Sequence, residues 1–334
     1  MSGSMLCIGP ELDNLIRVKA GRGLSLKIYN KEKDKERELL CSIGDSPRSV
    51  TWSEQTGSIV RDAAERLNLI QLSTEFYPST RDQDLATANG IKFDSQTDDG
   101  WSNWFRGITA NAYLLPDTNI LLKRTLSAVI FPSFTDRKHV LSLPFRITIP
   151  RLSILELENL ANTGQDNKDA KVSKGECFMS FNEVRTLKRN GANLTDILAA
   201  DVLGLFHSAS GKKLIDILIR DEVRRFANSR QTSSMGERSL FVTRDMISAL
   251  AANCEELSAI YIAPKYPENL SIDNIDLANL RELIIEVATS CGKVEFKWED
   301  GEAFQIEGTW SGKNWYDYFR RRVRVTRILK ESPN

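Results

Sequence analysis

The sequence predicts an α/β protein with a parallel sheet flanked by helices, and three observations carry that prediction. From Ala112 to about Ala263 short apolar runs alternate with longer amphipathic ones, the pattern of repeated strand, helix, strand units. Two of the apolar runs, Leu114-Leu115-Pro116 and Leu240-Phe241-Val242-Thr243, end at or just before an aspartate, Asp117 and Asp245, ahead of helix-like segments. An open parallel sheet places its ligand crevice outside the carboxyl ends of its strands, which is where both carboxylates fall. Finally, 334 residues with 41% hydrophobic content suffice for two or three domains with real cores.

Residues 1 to 108 read as a separate N-terminal α+β region. Leu24 to Tyr29 alternates like a strand, Lys31 to Glu38 is a charge run suited to a solvated turn or helix face, and Ile59, Ala63, Ala64 and Leu67 fall at helical spacing. The polar stretch from Pro78 to Gly100 reads as a loop or linker, followed by Trp101, Trp104 and Phe105 at the spacing of helix packing residues.

The central region, 109 to 268, has strands predicted at 112–116, 145–149, 239–243 and 258–263. Between the second and third fall helices at about 152–161, 179–189, 194–207 and 213–227, and Thr163 to Lys174 reads as a loop beside the crevice.

Residues 269 to 334 change character. A helix from about Leu277 to Ser290 leads into Val294, Phe296 and Trp298 in alternation, a turn at Asp300-Gly301, and Phe304 and Ile306 alternating again, which is a hairpin. Then comes a basic, aromatic segment with few local acids beyond Asp317 and Glu331. Lys313, Trp315, Arg320, Arg322 and Arg324 are its candidates for contacting phosphates and unpaired bases. Val323 and Val325 equally suit a final strand whose arginines form a solvated face.

Composition narrows the function classes. Lys+Arg and Asp+Glu stand at 45 each, so no global positive field draws in nucleic acid and a polyanion needs a local patch. The five cysteines, Cys7, Cys41, Cys177, Cys254 and Cys291, form no C-x-x-C pair, which argues against a disulfide framework or a zinc site and for a reducing, cytoplasmic setting. No stretch of about 18 apolar residues suggests a membrane span. With only His139 and His207, and no serine in a nucleophile-elbow pattern, a Ser/His/Asp triad is not expected.

Four acids in order carry the chemistry. Asp117 and Asp245 end strands; Glu156 lies early in the helix after Ile149-Pro150; Asp216 lies early in the helix from Leu214. Gathered at one sheet rim they repel each other unless a cation intervenes, so they predict a hard-metal site for Mg²⁺ or Mn²⁺. Two such ions about 4 Å apart activate and orient a water and neutralise the leaving oxygen of a phosphodiester without histidine. Each acid has a plainer role open to it. Asp117 and Asp245 suit helix N-caps, Glu158 competes with Glu156, and Asp221 and Glu222 compete with Asp216, Asp221 being the alternative third acid.

These residues resemble the PIN-domain nuclease family. The motifs are Leu115-Pro116-Asp117-Thr118-Asn119, the run from Ile149 to Leu160 around Glu156, Asp216-Ile217-Leu218-Ile219-Arg220, and Val242-Thr243-Arg244-Asp245. The resemblance covers about 112–263 and implies a three-layer α/β/α domain with a central parallel sheet. It also implies Mg²⁺ or Mn²⁺ held by Asp117, Glu156, Asp216 and Asp245, support from Thr118, Asn119 and Thr243, and hydrolysis of single-stranded or structured RNA. The gap from Asp216 to Asp245 is longer than the family's usual spacing, and neither flanking region matches it. Single-stranded DNA as a second substrate and self-association stay open. The competing readings are a PIN-like scaffold without turnover that binds RNA or protein, and a receiver-like domain with one modified aspartate, for which Lys265 would be the strand-end lysine.

Overall fold

In the computed structural model the described residues are 4–7, 14, 26–30, 38–43, 49–52, 58–67, 69–70, 72–88, 112–126, 146–163, 174–189, 191–195, 204, 212–231, 237–265, 271–291, 293–298, 302–308 and 323–328. The chain divides into two compact units, one made of residues 1–71 and 265–334, the other of 72–264.

In chain order, the first unit opens with β1 (Ser4–Cys7), β2 (Leu26–Asn30), β3 (Glu38–Ile43), β4 (Val50–Trp52) and helix α1 (Ser58–Arg66). The second unit follows with β5 (Leu72–Tyr77), α2 (Thr80–Ala88), β6 (Ala112–Pro116), α3 (Thr118–Leu122), β7 (Arg146–Ile149), α4 (Arg151–Thr163), α5 (Lys174–Arg189), β8 (Asn193–Leu194), α6 (Lys212–Gln231), β9 (Arg238–Thr243), α7 (Met246–Cys254) and β10 (Ser258–Pro264). The first unit is completed by β11 (Ser271–Ile272), α8 (Leu277–Cys291), β12 (Lys293–Trp298), β13 (Ala303–Gly308) and β14 (Val323–Ile328).

The first unit is an eight-stranded sheet in the order β1-β14-β13-β12-β2-β3-β4-β11, antiparallel at every described pair. Alternation along β12 sends Val294, Phe296 and Trp298 into one core with residues of α1 and α8, among them Val60, Ala63, Ala64, Leu280 and Ile284. Within that core the guanidinium of Arg66 lies 3.2 Å from the Glu286 carboxylate and 2.8 Å from the Ser290 hydroxyl, with both charged side chains fully buried. The predicted 277–290 helix and the 294–306 hairpin are both present. Separate N- and C-terminal regions are not what the contacts show: β1 pairs with β14 and β2 with β12, so the two chain ends share one sheet. Such pairing across almost the whole chain leaves no trace in local periodicity.

The second unit is a six-stranded sheet in the order β5-β10-β9-β6-β7-β8, parallel throughout except that β5 runs antiparallel to β10. The sheet is therefore mixed and not purely parallel. Strand β6 is buried along its whole length and sends alternate residues to opposite faces. Ala112 and Leu114 join a cluster with Ile120, Leu157, Val184 and Leu187, while Tyr113 and Leu115 join one with Leu218, Val223, Phe226 and Ala249. Helices thus cover both faces, as a continuous apolar strand requires.

Two local expectations change. Residues 72–88, the second half of which the sequence suggests is loop, hold β5 and α2; α2 is poor in apolar residues and takes its cap from Glu256, far off in sequence, whose carboxylate accepts from the Thr80 amide at 3.2 Å and hydroxyl at 3.1 Å. Asn193-Leu194 forms the short edge strand β8 where a helix from 194 is expected; the rest of 194–207 lies, apart from Thr195 and Gly204, outside the described residues. Outside them as well lie Trp101, Trp104, Phe105, His139, His207 and most of the 163–174 loop. Among the described residues no helix is long and apolar enough to cross a membrane.

Candidate functional site

The strand order sets the place of the site. From β6 the chain steps outward to β7 and β8, then returns to the other side of β6 with β9 and β10, so the order reverses between β6 and β9. Crevices in open α/β sheets form at such a reversal, outside the carboxyl ends of the strands. Asp117 follows β6 there, its amide still bonded to the Val242 carbonyl of β9 at 2.8 Å, and Asp245 follows β9.

Asp117 is 5% exposed and its carboxylate is heavily bonded. Oδ1 accepts from the Thr118 amide at 2.7 Å; Oδ2 accepts from Asn119 Nδ2 at 2.7 Å and from the Thr243 hydroxyl at 2.8 Å. Asn119 Nδ2 also lies 3.0 Å from Thr243 Oγ1, and its Oδ1 accepts from the Arg244 amide at 2.9 Å, so one amide side chain fastens the end of β6 to the end of β9. Burial nonetheless pushes the Asp117 carboxyl up to about 6, the donors from Thr243 and Thr118 pull against it, and the charges of Asp216 and Asp245 push it further up.

The other candidate acids have different surroundings. Glu156 is buried on α4, where the Thr118 hydroxyl donates to its Oε2 at 2.5 Å, while Glu158, two residues on, is exposed. Of the two candidates on α6, Asp216 is the one whose charge acts on Asp117. Asp221 is engaged by its own helix: Arg224 donates at 2.5 Å and Arg225 at 2.7 Å, and although partial burial alone would raise its carboxyl, the two guanidiniums outweigh that and hold it low. Asp245 caps α7, its Oδ1 accepting from the Ile247 and Ser248 amides at 2.9 and 3.2 Å. Asp117 and Asp245 thus both take the plainer capping role, each accepting from backbone N–H at the start of the helix that follows it.

Among the described residues no three His, Cys, Asp or Glu side chains are gathered closely enough to hold a metal ion as they stand. Carboxylates bearing like charge hold apart, and Asp117, Glu156 and Asp245 each spend part of their carboxylate on a neighbouring amide or hydroxyl. The donor set itself, all oxygen and anionic, suits Mg²⁺ or Mn²⁺ and not zinc.

The rim is bordered by apolar side chains. The exposed large hydrophobic residues among those described, Leu214, Ile217, Met246, Ile247 and Leu250, all lie on α6 and α7 within five residues of Asp216 or Asp245. At the opposite, amino end of the strands a small cleft is lined by Ser79, Arg81, Asp82, Arg238 and Ser258 among others. There the Ser258 hydroxyl donates to Asp82 at 2.6 Å and accepts from the Ser79 amide at 2.9 Å, a joint that fastens α2 to the sheet.

Sequence reasoning passed over the role of Glu222. It is buried on α6, and its carboxylate accepts from the Arg151 amide at 2.8 Å, the Leu152 amide at 2.9 Å and the Thr195 hydroxyl, which caps α4 from another helix. Burial raises its carboxyl against the pull of these donors. The signal was present: α4 begins at Pro150-Arg151, with no Ser, Thr, Asp or Asn to cap it, so its first amides needed a partner from elsewhere.

The basic C-terminal candidates belong to the first unit. Lys313, Trp315, Arg320 and Arg322 lie outside the described residues. Arg324 is exposed on β14 and 3.7 Å from Glu307; Arg327 is 2.6 Å from Glu302. The pairing of β14 with β13 supplies the acids that the linear sequence appeared to lack.

The chain was compared with protein-family models, curated proteins and solved structures, and none of them matches it.

Proposed function

We propose that the second unit is a PIN-like, metal-dependent endoribonuclease that hydrolyses phosphodiester bonds with Asp117, Glu156, Asp216 and Asp245. The observation that carries this reading is the placement of a buried aspartate at the strand-order reversal with two further carboxylate charges, those of Asp216 and Asp245, acting on it. Such an excess of negative charge is stabilised by a divalent cation from solution, for which Asp117, Asp216 and Asp245 would be the central ligands and Glu156 the flanking one. Bound there, the ion would supply a polarised water and charge neutralisation at a phosphate. The chain's own residues do the rest. Thr118, Asn119 and Thr243 hold the Asp117 carboxylate in one orientation, Thr118 aims Glu156, and the buried setting keeps bulk water from screening them.

A fluorescently labelled single-stranded RNA incubated with the purified chain in Mg²⁺, Mn²⁺ or EDTA tests the reading. Cleavage that needs the metal and is lost in Asp117→Asn is the expected outcome; equal cleavage in EDTA or by the variant sinks it. Binding of RNA without any cleavage would favour the scaffold alternative.

A further inference from the structure

We propose that Glu222 is a positioning residue for the acid site: by capping α4 from α6 it fixes the two helices that bring Glu156 and Asp216 to the rim. This rests on the metal-site reading above and adds to it a residue that touches neither metal nor substrate. The geometry is a clamp. One carboxylate on α6, six residues after Asp216, receives the first two amides of α4, and Glu156 lies one turn further along α4. Thr195, just after β8, donates its hydroxyl to the same carboxylate and accepts from the Arg151 amide at 3.2 Å, so the edge of the sheet is tied into the joint. Glu156 in turn accepts from the hydroxyl of Thr118, the residue next to Asp117. A continuous chain of hydrogen bonds and helix backbone therefore runs from the end of β6 through α4 to α6. The three amide and hydroxyl donors demand two acceptor oxygens, which a carboxylate provides and a carboxamide does not.

Glu222→Gln keeps the volume and turns an NH₂ group toward one of those donors, loosening α4 against α6. The control is Glu256→Gln, which weakens the same kind of cross-element cap at the start of α2, at the opposite end of the strands. Mn²⁺ binding is measured by titration calorimetry on the full chain, with circular dichroism confirming that each variant is folded. The expected result is a loss of Mn²⁺ affinity of about tenfold in Glu222→Gln, the scale on which outer supports of metal ligands act, and no loss in Glu256→Gln. A folded Glu222→Gln that binds Mn²⁺ like the wild type overturns the clamp while leaving the metal site standing. Equal losses in both variants overturn it too, since the effect would then be general destabilisation. A wild-type chain that binds no Mn²⁺ removes the site reading itself and the clamp with it. Should Glu222→Gln fail to fold, Thr195→Val is read in its place: a smaller loss in the same direction supports the clamp, and unchanged affinity overturns it.

Discussion

Each unit buries carboxylate charge, and they handle it in opposite ways. In the first, Glu286 meets Arg66 at 3.2 Å inside the apolar core, and a Ser290 hydroxyl takes another guanidinium nitrogen. In the second, Asp117 is buried and feels the charges of Asp216 and Asp245, and its partners named above are neutral donors: an amide N–H, a carboxamide and a hydroxyl. Hydrogen bonds orient a carboxylate but do not cancel its charge. The first unit's charge is met by a guanidinium within the fold, whereas these donors to the Asp117 carboxylate are neutral, and that difference separates a structural ion pair from the site proposed above.

The largest expected effects come from breaking each arrangement. Replacing Asp117 by Asn should lower metal-dependent RNA cleavage by more than about a hundredfold, beyond the cost of losing an outer support. The same variant should melt at or above the wild-type temperature without metal, because it relieves a repulsion. A melting temperature that falls by several degrees would mean that the Asp117 charge stabilises the fold and that the contrast between the units is false. In the first unit, Arg66→Met leaves Glu286 buried without its partner and should cost about 3 to 5 kcal/mol in urea unfolding. Adding Glu286→Leu should recover most of that loss; no recovery would place the cost in packing and not in charge.

The pH dependence sharpens the comparison at intermediate size. The Asp117 carboxyl titrates at about 6 in the folded chain, against 3.8 as its ordinary value, so the folded state holds the extra proton between those pH values. Its contribution is therefore fully present below about pH 4 and lost as pH rises through about 6, worth at most about 3 kcal/mol. Unfolding of the second unit in EDTA, followed from pH 4 to 7, should show this decline, and Asp117→Asn should flatten it. Mn²⁺ should stabilise the wild type more at pH 7 than at pH 5.

Much of the second unit was legible in the sequence for a physical reason. Strands buried on both faces are unbroken apolar runs, so β6, β7, β9 and β10 announced themselves, and the acids at the ends of β6 and β9 could be placed by the rule for parallel sheets. What stayed hidden depends on distant partners. Strand β5, Leu-Ser-Thr-Glu-Phe-Tyr, mixes polar and apolar residues because it is an edge strand, and only β10 reveals it. The sharing of one sheet by both chain ends rests on pairs such as Met5 with Val325, which no local pattern encodes. At the site, Asp216 and Asp221 look alike in sequence, and only the helix face and the arginines beside Asp221 separate them.

That pair supplies the smallest prediction. Asp221 is exposed enough that water screens its two arginine contacts, which follow at three and four residues on the same helix. Exposed pairs of this kind contribute roughly 0.2 to 1 kcal/mol each, and a network of two does not greatly exceed one. Asp221→Ala should accordingly lower stability by less than about 1 kcal/mol, an effect that weakens in high salt, and should leave Mn²⁺ affinity unchanged. Asp216→Ala should do the reverse, removing one of the two charges that push on Asp117: stability holds or rises, and metal affinity falls. Calorimetric titration of the two variants side by side reads both signs at once. Loss of Mn²⁺ binding in Asp221→Ala with full binding in Asp216→Ala would move the third acid about 1.4 turns along α6, and the proposed site would then have to be gathered on a different face of that helix.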